Sequence, residues 1–121
     1  MSEIIEKTEK FVFELFKSDL DPSFVYHNHT HTERVLRSIK EIIENTEIND
    51  KDAEILQLAA LLHDTGYTKT RDGHEEESKK IATTFLKEND VDEDTINAVN
   101  DCIDATKIKN PPTTKLGMII R

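Results

Sequence analysis

Three of the chain's five histidines fall within seven residues, Tyr26-His27-Asn28-His29-Thr30-His31-Thr32; the other two stand downstream at His63 and His74. Imidazole changes charge near neutral pH and is the commonest nitrogen donor to metals. His63 is followed directly by Asp64, and a neighbouring imidazole and carboxylate supply the N and O donors that borderline divalent cations accept together. Asp64 also closes the most apolar stretch of the chain. A carboxylate at a helix C-terminus lies against the negative end of the macrodipole, and a bound cation reverses the sign of that interaction. The plainer alternatives are a surface histidine cluster, a core imidazole at His31 satisfied by a carbonyl, and a frayed helix end with Asp64 capping the Thr65-Gly66 turn.

Just beyond lie Lys69, Arg71 and His74. A histidine opening a helix is biased toward the neutral form that binds metal. Lys69 and Arg71 are cations placed where they could hold a phosphate, and Lys107 has the same standing. Ordinary solvated loop charges are the alternative for each.

The elements that must position these groups read as helices, because apolar residues recur at spacings of three and four. Ile4, Ile5, Val12, Leu15 and Phe16 form one stripe, ended by Ser18-Asp19 and Pro22. In an extended segment His27, His29 and His31 would share one side. A helix from about Thr30 to Asn45 instead turns His31 onto the stripe of Val35 and Ile39, toward the core. Asn49 or Asp50 caps a third helix, whose run Ile55-Leu56 and Leu58-Ala59-Ala60-Leu61-Leu62 is apolar almost all round and therefore central. Gly66 is placed to end it. A fourth helix opens at His74 after Asp72-Gly73, pairing Glu75 with Lys79 and Glu76 with Lys80 at i, i+4. A fifth starts near Asp92 and carries Ile96, Val99 and Ile103. Pro111-Pro112 breaks the chain before a last segment through Leu116, Ile119 and Ile120. The expectation is an all-α, single-domain bundle of five to six helices over residues 1–121. Because the chain stops inside an apolar helical pattern, the domain reads as truncated at its C-terminal end.

Composition narrows the function. Sixteen Lys+Arg against twenty-five Asp+Glu give a net charge of −9 in 121 residues, which disfavours a binder of duplex nucleic acid. No apolar run approaches a membrane span, and the charged start MSEIIEKTEK is unlike a signal peptide. Cys102 is the single cysteine, so an internal disulfide and a thiolate metal cage are excluded and a cytoplasmic setting is the economical reading. An anionic substrate would need a local metal or a few placed cations against this field. The pattern carries no signal for an oligomeric state.

Taken together, these residues resemble the HD superfamily of metal-dependent phosphohydrolases, whose pattern is a His, an adjacent His-Asp pair and a distant Asp on a helical bundle. Tyr26-His27-Asn28-x-x-His31-Thr32 is similar to the first motif, in a form also seen in class I cyclic-nucleotide phosphodiesterases. Ala60-Leu61-Leu62-His63-Asp64-Thr65-Gly66 is similar to the second. The resemblance implies that His31, His63 and Asp64 ligate a divalent ion (Mn, Fe, Ni, Co, Zn or Mg). It implies a further ligand at His74, as in two-metal members, and a donor to the leaving oxygen at His27. Asp64 would thus belong to the catalytic centre, with Lys69, Arg71 and Lys107 available to substrate phosphate. The family's last Asp has no counterpart; its expected place is just past Arg121, and Asp101 and Asp104 are earlier substitutes. The implied activity is attack of metal-activated water on a small phosphorylated substrate, most simply a nucleotide. The alternative is a non-catalytic regulatory module that binds a metal or a nucleotide.

Overall fold

The structure, a computed structural model, describes residues 3–19, 22–69 and 73–105, the side chains of residues 19 and 22–29 excepted. Arg71, Lys107 and the expected last segment lie outside the described residues. Those described form five α-helices and one short 3-10 turn, with no strand among them. The elements are α1 (Glu3–Asp19), α2 (Pro22–Glu44), α3 (Asp50–Leu62), the 3-10 turn (Thr65–Thr68), α4 (His74–Glu88) and α5 (Glu93–Ala105). The all-α expectation holds.

Helix α3 is the central strut, and it contacts each of the other four helices. Its composition requires this position: Ile55, Leu56, Leu58, Ala59, Ala60, Leu61 and Leu62 are all buried, on every side of the helix. Asn49 starts it as expected, its side-chain oxygen accepting the Asp52 N–H at 2.8 Å. Ile5, Val12 and Phe16 from α1, Leu36 and Ile39 from α2, Phe85 and Leu86 from α4 and Ile96, Val99 and Ile103 from α5 complete the core. Asp92 opens α5 by accepting both the N–H and the hydroxyl of Thr95, at 3.1 and 2.7 Å.

Four local expectations are corrected. First, α2 begins at Pro22, well before Thr30. Proline lacks an N–H and has φ already fixed, so it suits the first helical turn as well as it breaks an interior. The histidine-rich segment is therefore helical and not extended. Second, His31 is not a buried core residue: its side chain reaches Asp64 yet is 51% exposed. Third, α3 ends at Leu62 with His63 as its C-cap, and Gly66 lies inside the 3-10 turn. Fourth, Lys79 and Lys80 pair with Glu76 and Glu77, at 3.1 and 3.3 Å, one residue nearer than expected. Glu75 is thereby free to reach His74.

Gly73 has φ of +70°, the left-handed region that suits glycine, and it turns the chain directly into α4. The acids Glu75, Glu76 and Glu77 in the first turn of α4 complement its positive end. This puts His74 at the bundle end where α3 finishes.

Candidate metal centre

Three elements deliver the site. Helix α2 brings His31, the end of α3 brings His63 and Asp64, and the start of α4 brings His74. The Asp64 carboxylate stands in the middle. Its Oδ2 lies 3.2 Å from His31 Nε2 and 3.1 Å from His63 Nε2, while Oδ1 lies 3.2 Å from His74 Nε2. The His31 and His63 rings are 5.5 Å apart, tilted by 56°. The Asp64 side chain makes no helix-capping hydrogen bond to the turn that follows, so the capping alternative is set aside.

Second contacts fix how the rings present themselves. His63 Nδ1 sits 2.6 Å from the Ala60 carbonyl oxygen. A carbonyl only accepts, so Nδ1 carries the hydrogen and the lone pair of the neutral ring is at Nε2, facing the cluster. His74 Nδ1 lies 3.5 Å from Glu75 Oε1, and its Nε2 faces Asp64 Oδ1 at 3.2 Å. The backbone between these groups is clamped by Ser78 of α4, which is fully buried. Its hydroxyl donates to the His63 carbonyl at 2.7 Å and accepts the Gly66 N–H at 2.8 Å.

Burial alone would push the His63 imidazolium down, but the hydrogen bond and charge of Asp64, with the Ala60 carbonyl and Glu75, hold it above its ordinary value. Burial would raise the Asp64 carboxyl, yet His63, His31 and His74 together hold it lower than usual. The Tyr67 phenol is raised by burial and by the charges of Asp64 and Glu75, and so stays protonated.

The donor set fits a divalent cation. One ligand atom from each of His31, His63 and Asp64 lies within 4.8 Å of the others. All are N or O donors, the mix that such ions take. His74 stands outside this mutual set but touches the second oxygen of the same carboxylate. Asp101 and Asp104, the early substitutes for a last ligand, are elsewhere: both line a groove between α4 and α5, and Asp104 Oδ1 is 2.9 Å from Lys79 Nζ.

The structure does not bring Lys69 to the cluster. Its side chain lines a largely apolar groove of about 370 Å³ between α1 and α4, with Phe11, Leu15, Ile81 and Phe85. Lys69 closes the 3-10 turn, its N–H donating to the Gly66 carbonyl at 2.9 Å. Arg71 and Lys107 lie outside the described residues, as does the His27 side chain, although the helical backbone of α2 sets position 27 one turn before His31.

Sequence reasoning missed Glu75, Ser78 and Tyr67. Ser78 had a signal, since it is a small polar residue on the inward stripe of α4 shared with Ala82 and Phe85. Glu75 was assigned to Lys79 by spacing alone. Tyr67, which stacks on His74 with centroids 3.9 Å apart and planes 13° off parallel, had none.

A helical bundle with a His residue and a His-Asp pair gathered at one end defines the class. The chain belongs to the HD domain family, whose pattern it matches over residues 28–121. Members of this family are generally metal-dependent phosphohydrolases. No curated protein and no solved structure matches the chain. Among the described residues no helix is long and apolar enough to cross a membrane.

Proposed function

We propose that this chain is a metal-dependent phosphohydrolase acting on a small phosphorylated substrate, a nucleotide, in the cytoplasm. The observation that carries the reading is the convergence of His31 Nε2, His63 Nε2 and an Asp64 oxygen within 4.8 Å of one another. These three residues would hold the cation, and His74 would serve the Oδ1 side of Asp64. A divalent ion bound there supplies charge neutralisation for phosphoryl oxygens and a water activated near neutral pH.

The chain's own residues supply the rest. Asp64 offsets the ion's charge in a buried setting, where electrostatic interactions are stronger than in water. The Ala60 carbonyl holds the hydrogen of His63 on Nδ1, so its Nε2 stays available as a donor to the cation, and Glu75 stands beside His74 Nδ1 on the far side of that ring. His27, one turn before His31 on α2, is the proposed proton donor to the departing oxygen. Arg71 and Lys107 are the proposed cations for the substrate's remaining phosphate charge.

The test is phosphate release from a panel of nucleoside monophosphates, cyclic nucleotides and simple phosphoesters by Mn2+-loaded protein, with the His63→Ala/Asp64→Ala double variant beside it. Metal-dependent turnover that vanishes in the double variant supports the reading. Turnover unchanged in that variant defeats it. Binding of a nucleotide without any turnover favours the regulatory module instead.

A further inference from the structure

We propose that Tyr67 is a positioning residue that holds the His74 imidazole in register with the Asp64 carboxylate. The role in metal binding that follows rests on the reading of the centre given above.

His74 is the first residue of α4. A side chain at that position has no preceding helical turn to pack against, so its rotamer must be set by other contacts. Two of these are at the ring edge: Asp64 Oδ1 at 3.2 Å from Nε2 and Glu75 Oε1 at 3.5 Å from Nδ1. Edge contacts act in the plane of the ring and restrain its tilt out of that plane only weakly. Tyr67 removes that freedom by lying flat on one face, at 3.9 Å and 13°.

The backbone makes this contact dependable. Tyr67 N–H donates to the Asp64 carbonyl at 3.2 Å, Thr68 Oγ1 to the Thr65 carbonyl at 2.8 Å, and Gly66 N–H to Ser78 Oγ at 2.8 Å. Ser78 is one turn along α4 from His74, so the two stacked rings are carried by one cross-linked frame. The exposures agree with this arrangement. Tyr67 is 36% exposed, whereas the His74 side chain beneath it is only 12% exposed. The exposed phenol ring covers one face of the imidazole from solvent. The electron-rich face of the phenol ring suits an imidazole polarised by a proton or a cation.

The experiment reads the histidine rings of metal-free protein by long-range 15N–1H NMR in the wild type, Tyr67→Phe and Tyr67→Leu, with thermal unfolding alongside. In the wild type the His74 ring protons should be shifted upfield by the stacked ring and show one tautomer. Tyr67→Phe should keep both features. Tyr67→Leu should lose both while the His63 signals and the melting temperature stay near those of the wild type. Absence of the upfield shift in the wild type, or its persistence in Tyr67→Leu, overturns the proposal. In parallel Mn2+ titrations Tyr67→Leu should weaken ion binding at the His74 side about tenfold, as loss of a ligand-orienting partner does, and Tyr67→Phe should restore it. Wild-type protein that takes up no Mn2+ removes the metal reading, while the ring signals still decide the role of Tyr67.

Discussion

A β-carbon at Gly66 would collide with the backbone carbonyl of His74 and stand only 2.8 Å from the Ser78 nitrogen. The glycine is thus needed for closeness of approach, since its φ is not in the left-handed region. It lets the turn carrying the His-Asp pair press against the start of α4.

Gly66→Ala should therefore force these backbones apart, because neither obstructing atom belongs to a flexible side chain. Overpacking of this kind costs about 1–3 kcal/mol, and the displacement falls on the contact between Asp64 and His74. Urea unfolding and Mn2+ calorimetry on the variant should show both a lower midpoint and weaker binding. A variant equal to the wild type in both would contradict the packing described.

Ser78→Ala should leave the Gly66 N–H and the His63 carbonyl without their partner in a dry setting. Unmet buried groups cost about 1–3 kcal/mol, so the urea midpoint should fall while the slope of unfolding stays unchanged. Ser78→Cys, with its weaker donor, should lie between the two.

His31 tests the ligand set without disturbing the core, since half of its side chain is in solvent. His31→Ala should lower the melting temperature of metal-free protein only slightly, because the half-exposed His31 is one of three imidazoles around Asp64 and an exposed ion pair is worth about 0–1 kcal/mol. The rise in melting temperature on adding Mn2+ should shrink sharply as affinity drops. An undiminished rise would remove His31 from the ligands.

The pH response of metal-free protein follows from the two shifted groups. Asp64 is held below its ordinary 3.8, so the stability it contributes is present above 3.8 and is lost as pH falls through the lowered value. His63 is held above its ordinary 6.5, so its contribution is full below 6.5 and is lost as pH rises through the raised value. Stability in a chelator should peak between pH 3.8 and 6.5 as far as this pair is concerned, and Asp64→Asn should flatten the profile. Metal uptake should run the other way above the peak, because the ion displaces a proton from His63. Denaturation midpoints across this range, with and without Mn2+, check both signs.

Much of the fold was legible in the chain because single residues announce it. Asn49, one of the two cap candidates, starts α3, Asp72-Gly73 precedes α4, and an all-round apolar helix has nowhere to go but the centre. That His31, His63, Asp64 and His74 belong together was legible through the resemblance of the two motifs that carry them. The rest depends on context that one-dimensional spacing does not carry. Pro22 reads equally well as an end or a beginning. His31 shares a stripe with Ile39, yet it sits near the rim of the bundle, where a stripe position no longer means burial. Lys69 was close to the site in sequence, yet its side chain lines a different groove. The stacking of Tyr67 on His74 is a tertiary event between residues whose local patterns say nothing about each other.

The placement of Asp64 has a mechanical consequence. A carboxylate is a rigid plane, so its two oxygens cannot swivel independently: turning one toward the pair formed by His31 and His63 moves the other relative to His74. Whatever grips one edge gains leverage over the opposite edge. Front and back of the centre are accordingly coupled through one plane that turns about the Asp64 Cβ–Cγ bond.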